Sequence, residues 1–243
     1  METIVLLSGG QDSTTCLAWA TRELGPTRTV AFDYGQRHRV ELEQAAEISK
    51  MFDAQSHVVI PVEGLSFIGG AALTNSGIDV EATASEHSLN AHAWAHGLPS
   101  TFVPGRNVLF LGLAAAYGAK FGIYDLVAGM CQQDRAGYPD CRHEFIESME
   151  ATLTLALDEP VTIHTPVMHR TKAETWALAD DLGVLDVIVQ YTHTCYHGDR
   201  TQRHDWGAGC GTCPACNERA RGWEEFTADR NLTLTNLQRS PRC

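Results

Sequence analysis

Along the N-terminal part of the chain, short apolar runs alternate with longer amphipathic ones. Thr3 to Leu7 is short and mostly apolar, as a buried strand is, and it ends in the turn Ser8-Gly9-Gly10. Asp12 and Ser13 open a helical pattern that runs to Leu24 and stops at Gly25-Pro26. Arg28 to Phe32 reads as a second strand. Leu42, Ala45, Ile48 and Phe52 recur at helical spacing across Val40 to Phe52, and His57 to Ile60 is a third strand closed by Pro61. Strand and helix therefore alternate, which predicts an α/β fold: a doubly wound, mainly parallel sheet with helices on its faces.

The rhythm fails between residues 63 and 100, where Gly64, Gly69, Gly70, Gly77, Gly97 and Pro99 punctuate the chain. A long, irregular and mobile surface segment is expected there. His87, His92 and His96 lie within it, but no cysteine or carboxylate at fitting spacing completes a metal site. Beyond it, Asn107 is placed to cap a helix from Val108 to Lys120, apolar nearly all round and so expected to be buried. Asp125 to Gly129 and Val161 to His164 read as strands on either side of a helix from Arg142 to Leu157. Thr171 begins another helix.

Length and charge narrow the possibilities. The 243 residues, 44% hydrophobic, suit one α/β domain with a small appendage, here divided into a nucleotide-binding part, 1–190, and a C-terminal metal-binding region, 191–243. The net charge of −12 lacks the cationic surplus that binding a nucleic-acid backbone requires, so small-molecule partners are expected and no nucleic acid. No stretch approaches the length of a membrane span, and the N-terminal apolar run is too short for an export signal, which points to the cytoplasm. Eight cysteines in such a chain read as thiols and metal ligands rather than disulfides.

The strongest chemical signal is the first turn. Leu7-Ser8-Gly9-Gly10-Gln11-Asp12-Ser13-Thr14 puts glycines and hydroxyls between a strand and a helix N-terminus. There, unpaired backbone N–H groups and the helix dipole favour a phosphate. No lysine follows the glycines, so this is not the G-x-x-x-x-G-K-[ST] loop. It resembles the PP-loop, S-G-G-x-D-S, of the ATP pyrophosphatases, which cleave ATP between the α- and β-phosphates.

Other candidates sit where strands end. Asp33-Tyr34-Gly35-Gln36-Arg37-His38 is either a capped turn or a contact to nucleotide or acceptor, with Gln36 and Arg37 as substrate-binding residues. Arg106 at a helix N-terminus sits badly with the dipole unless it meets an anion, phosphate or protein carboxylate. Met130 to Arg142 gathers Tyr138, Asp140 and Arg142, the set a planar heterocycle bearing a carboxylate requires: a ring to stack on, an acid for N–H donors, an arginine for the carboxylate. A structural loop capped by Asp140 is the alternative. Lys172, in the first turn of its helix, is a phosphate ligand or a solvated lysine.

Cys210, Cys213 and Cys216 fall within seven residues and make a metal knuckle, with Cys195 as the fourth thiolate. Four thiolates suit a structural zinc ion. An iron–sulfur cluster shares part of the spacing, but position 220, where its next cysteine belongs, is alanine. His193, His197 or His204 could stand in for Cys195. Arg219, Arg221 and Trp223 are expected on a terminal helix packed against the knuckle.

Taken together, these motifs resemble the QueC family of 7-cyano-7-deazaguanine synthases within the PP-loop group, from residue 3 to about 226. The carriers are Ser8 to Leu17, Gln36-Arg37-His38, Phe102 to Asn107, Gly137 to Arg142, His164-Thr165-Pro166, Lys172 to Trp176 and the four cysteines. The Cys195–Cys210 gap is longer than the family pattern leads one to expect, which marks Asp199 to Trp206 as an inserted loop. The resemblance implies an adenine nucleotide alpha hydrolase-like fold and a C-terminal zinc knuckle with one zinc per chain. It also implies a homodimer and, as substrates, 7-carboxy-7-deazaguanine, ammonia and ATP with Mg2+. Arg106 and Lys172 would be the catalytic cations. Competing readings are another PP-loop ligase, a tRNA-thiolating enzyme using Cys131 or Cys141, and a nucleotide-sensing module without turnover.

Overall fold

The structure, a computed structural model, describes residues 2–36, 39–68, 72–74, 101–132 and 138–239. Arg37, His38 and the histidines at 87, 92 and 96 lie outside the described residues.

Five strands form one parallel sheet in the order β3-β2-β1-β4-β5. They are β1 (Thr3–Leu6), β2 (Thr27–Asp33), β3 (His57–Pro61), β4 (Asp125–Val127) and β5 (Thr162–His164). Alternate side chains of each strand face opposite sides, and the sequence fills both with apolar residues. Val5, Leu7, Ala31 and Val127 pack on α1 (Gln11–Glu23) and α2 (Val40–Met51) through Cys16, Leu17, Ala45 and Ile48. Ile4, Leu6, Val30, Phe32 and Leu126 face the other way. There they meet Leu111 and Ala115 of α4 (Arg106–Ala119) and Ile146 and Met149 of α5 (His143–Leu157). Cys16 is a core residue, as its apolar neighbours led us to expect, and burial pushes its thiol pKa well up.

Three expectations need correcting. The segment after β3 begins with a short helix, α3 (Gly64–Ile68), whose Leu65 reaches the main core. Asn107 does not cap α4: Gly105, at φ 72°, is the N-cap, and Asn107 sits inside the first turn. Nor is α4 buried all round, because Val108 and Leu109 are 43% and 41% exposed while Leu111 and Ala115 take up the sheet contact. A uniformly apolar helix gives no pattern from which to tell its buried side.

A third core joins the two sides of residue 190. Trp176 of α6 (Lys172–Asp181) and Ile188 of α7 (Leu185–Tyr191) pack with Cys195, Trp206, Cys213, Cys216 and Phe226. The expected inserted loop is a tight turn on Asp199 followed by an antiparallel ribbon, β6 (Arg203–His204) with β7 (Gly207–Ala208). The last helix, α8 (Pro214–Arg239), carries Arg219 fully into this core. Its guanidinium donates to Trp206 O (3.0 Å), Thr194 Oγ1 (2.7 Å) and Ile188 O (2.9 Å). Burial lowers its pKa to about 10, which still leaves it charged at neutral pH. A buried cation satisfied mainly by carbonyls fixes the geometry of the elements that supply them.

Candidate functional site: the crevice between β1 and β4

In this strand order the chain turns from β1 toward β2 on one side and returns to β4 on the other. The carboxyl ends of β1 and β4 therefore flank the topological switch point, where open α/β sheets bind ligands. The sequence-predicted phosphate loop lies there. Leu7 is buried and donates to Val30 O (2.8 Å), which holds the loop to β2. Ser13 Oγ accepts from Ser8 N–H (3.2 Å), lies 3.0 Å from Ser8 Oγ and donates to Gly10 O (3.2 Å), closing the loop on itself. Gly10 is the N-cap of α1 in an extended conformation with no side-chain cap, so the first-turn amides and the positive dipole end are left for an anion. Gln11 Nε2 and Thr14 Oγ1 are buried there without a hydrogen-bond partner among the described residues.

Two glycines make this geometry possible. Gly9 has φ 81°, and a Cβ on it would come 2.4 Å from Glu41 O and 2.9 Å from Ala45 N, so α2 rests directly on the loop. Gly129, just beyond β4, would put a Cβ 3.0 Å from Ser13 N.

Lys172 reaches the loop but is held on Asp12, its Nζ donating to both carboxylate oxygens at 2.9 and 3.2 Å. The lysine side chain is 9% exposed, far from the solvated alternative. Arg106, the first residue of α4, lies over the rings of Tyr34 (6.0 Å) and Tyr138 (5.9 Å) and hydrogen-bonds Tyr34. Burial opposes its charge, but Tyr34, Tyr138 and Asp140 outweigh that and keep it a firm cation.

Asp140 is buried beside it. Asn107 donates its backbone N–H to Asp140 Oδ2 (3.2 Å) and its Nδ2 to Asp140 O (2.9 Å), while Oδ1 is buried without a partner among the described residues. Burial raises the Asp140 pKa, against the pull of Arg106 and the Asn107 N–H. Tyr138 OH lies 2.6 Å from Thr101 Oγ1 and also meets Tyr196 of the cysteine region.

Two predicted contacts stand differently. Gln36 uses both ends of its amide on the β2 turn, accepting from Tyr34 N–H (2.9 Å) and donating to Phe32 O (3.1 Å). Arg142 is exposed at the N-cap of α5, on the rim rather than inside. Sequence reasoning passed over Glu41, which reads as an ordinary acid on an amphipathic helix. In the fold it is a half-buried carboxylate within electrostatic reach of Arg106.

The sulfurs of Cys195, Cys210, Cys213 and Cys216 lie within 4.8 Å of one another. A tetrahedral ion with metal–sulfur bonds of ~2.3 Å separates its thiolates by about 3.8 Å, and Cys210 Sγ and Cys216 Sγ are 3.9 Å apart. Backbone amides point at the sulfurs: His197 and Cys210 donate to Cys195 Sγ (both 3.4 Å), Thr212 and Cys213 to Cys210 Sγ (3.5 and 3.4 Å). Such donors favour thiolates, the form that ligates a metal. Two of the three histidine alternatives are engaged elsewhere. His204 stacks on Trp206 at 4.3 Å with Nε2 2.9 Å from Gly209 O, and His193 Nε2 lies 3.1 Å from Cys195 O. His193 also donates its backbone N–H to Gly9 O (2.9 Å), linking the cysteine region to the phosphate loop.

A Ser-Gly-Gly loop feeding an uncapped helix at the switch point of a parallel sheet is the architecture of the PP-loop, ATP-pyrophosphatase class. Within that class the chain belongs to the QueC family, whose model, described as "Queuosine biosynthesis protein QueC", matches residues 2–227. A 7-cyano-7-deazaguanine synthase of Bordetella pertussis is 49% identical over 93% of this chain and 92% of its own length. That of Rhodopseudomonas palustris is 46% identical over 93% and 95%, and that of Wolinella succinogenes 44% over 93% of each. Among the described residues no helix is long and apolar enough to cross a membrane.

Proposed function

We propose that the chain converts 7-carboxy-7-deazaguanine, ammonia and ATP into 7-cyano-7-deazaguanine, a precursor for queuosine or archaeosine. The observation that carries this is the near full-length likeness to synthases of that name, joined to a complete phosphate loop. ATP, as its Mg2+ complex, is needed because a carboxylate is a poor electrophile. Its oxygen attacks the α-phosphorus, pyrophosphate leaves, and a mixed anhydride forms. Ammonia then adds at the acyl carbon, AMP departs, and an amide remains. A second adenylation, of the amide oxygen, makes that oxygen a leaving group, and its loss as AMP gives the nitrile.

Within this reading, Leu7 to Thr14 hold the nucleotide, with first-turn amides set against charge developing on the phosphates. Lys172 orients the loop through Asp12 and adds positive charge beside it. Arg106 neutralises the phosphate or the acceptor carboxylate, and Gln36, Arg37, Tyr138, Asp140 and Arg142 frame the acceptor. Orientation of two bound reactants supplies much of the rate. We infer zinc for the four-cysteine site: four thiolates around one centre match its preference, and its chemistry there is structural. The reading divides the chain into a nucleotide-binding part, 1–190, and a zinc-binding part, 191–243. It also takes the protein to be a cytoplasmic homodimer acting on free small molecules, with no nucleic acid as substrate.

The test is mass spectrometry of purified protein with ATP-Mg2+, ammonium and the carboxylate. Nitrile with AMP and pyrophosphate is expected; untouched acceptor from folded, metal-replete protein would overturn the assignment. Asp140→Asn is informative next. It preserves an acceptor for the Asn107 amide but turns Oδ1, set toward ring N–H donors in this reading, into a donor. The KM for the acceptor should rise about 10- to 100-fold, with little change in the KM for ATP, the size of a lost hydrogen bond to a charged group.

A further inference from the structure

The last helix, α8, crosses α6 at a glycine. A Cβ on Gly222 would stand 2.7 Å from both Cβ and Cγ of Lys172 and 3.0 Å from the Lys172 carbonyl carbon. Any side chain there would force Lys172 or its backbone to shift. Gly222 is not among the glycines with positive φ, so its backbone conformation is open to other residues. A glycine inside a helix also weakens it relative to alanine. The crossing is what calls for glycine.

Contacts on either side of Gly222 hold that crossing. Trp176 Nε1 of α6 donates to Arg219 O (3.3 Å), and the Trp176 and Trp223 rings meet edge to face at 4.9 Å. In the first turn of α8, Cys216 belongs to the four-sulfur set, which ties the helix to the knuckle. Lys172 is fixed from its own side as well. Thr171 caps α6 in a reciprocal capping box with Glu174, which makes Lys172 the first helical residue. A cation in that turn opposes the helix dipole, so its placement needs support from outside α6. With its backbone set by the cap and its first two carbons against Gly222, the side chain ends with Nζ on both oxygens of Asp12 (2.9 and 3.2 Å).

We propose, on the basis of the synthase reading, that Gly222 is a positioning residue for the adenylation step. It lets α8 approach α6 closely enough to aim Lys172 at the phosphate loop. It acts through the lysine and not on the reactants, and it brings the C-terminal helix into the chemistry at the sheet's carboxyl end.

A double-mutant cycle tests this. Gly222→Ala should lower carboxylate-dependent ATP–pyrophosphate exchange roughly 10- to 10²-fold, the range for displacing a catalytic group by about 1 Å. In a Lys172→Ala background, already slow, the same substitution should change the rate by less than about threefold. Trp223→Phe loosens the crossing without adding an atom to it. It should show the same pattern with a smaller loss, and it carries the test where Gly222→Ala does not fold. Rates are compared well below each unfolding midpoint, where a stability effect alone would leave them near the wild type. Calorimetric affinity for ATP-Mg2+ should weaken on Gly222→Ala only where Lys172 is present. Exchange that keeps its wild-type rate in Gly222→Ala would overturn the proposal. So would equal losses in both backgrounds, which would mean that α8 acts on the site without the lysine. Failure of the synthase reading looks different: the wild type would bind ATP but show no exchange with this carboxylate, and the affinity cycle would still decide the role of Gly222.

Discussion

Gly9→Ala should lower kcat/KM for ATP by at least about 10²-fold, the penalty for displacing a reacting group by roughly 1 Å. Two independent causes converge at this residue. An alanine at φ 81° carries a left-handed penalty of about 1–2 kcal/mol. Its Cβ would also lie 2.4 Å from Glu41 O and 2.9 Å from Ala45 N, both backbone atoms of a packed helix that no rotamer change can move aside. Either α2 lifts or the loop shifts, and each carries Ser8, Ser13 and the first-turn amides away from the phosphate. Gly10→Ala is the matched comparison. Gly10 has φ −85°, and the atoms nearest its Cβ position are at 3.4 and 3.5 Å, ordinary contact. Pyrophosphate exchange and the unfolding midpoint, measured on both variants, should show a much smaller loss at position 10. Equal losses at the two positions would mean that the approach of α2 is not what shapes the loop.

The contrast shows which parts of the molecule a sequence can disclose. Strands β1 to β3 and helices α1 and α2 fall within a residue or two of the apolar runs that predict them, because periods of 2 and 3.6 are local properties. The phosphate loop and the Cys210–Cys216 knuckle are equally local, each a short span whose spacing states its chemistry. Pairings across the chain are not. Lys172 and Asp12 are 160 residues apart, and neither run shows that the lysine grips the loop's acid. Asn107 looks like a cap because the helix pattern starts after it; Asp140, from a distant loop, gives it a different task. Glu41 has the spacing of a surface residue, and only the seating of α2 on Gly9 brings its backbone carbonyl against the phosphate loop.

The cysteine region shows the same long-range logic, and Cys216→Ser exposes it. Cys216 is fully buried, and its sulfur belongs to a set of four within 4.8 Å that accepts several backbone N–H groups. On the zinc reading proposed above, removing one ligand leaves three thiolates and a hydroxyl that binds zinc poorly, so the variant should purify with less metal than the wild type. The fold around Trp206, Arg219 and Ile188 then loses its anchor, and the buried guanidinium loses carbonyls that satisfy it. A cost of a few kcal/mol is a large share of a domain's ~5–15 kcal/mol. At roughly 2–4 °C per kcal/mol for a chain of this length, the unfolding midpoint should fall by about 10 °C or more. ATP turnover should fall with it even where the chain remains folded, because Thr192 to Cys195 runs from α7 past the phosphate loop and His193 donates to Gly9 O. Metal content, midpoint and pyrophosphate exchange on the same preparation separate the effects. A metal-free variant with a lowered midpoint but wild-type exchange below that midpoint would mean that the loop holds its shape through α2 alone, and that the cysteine region serves stability only.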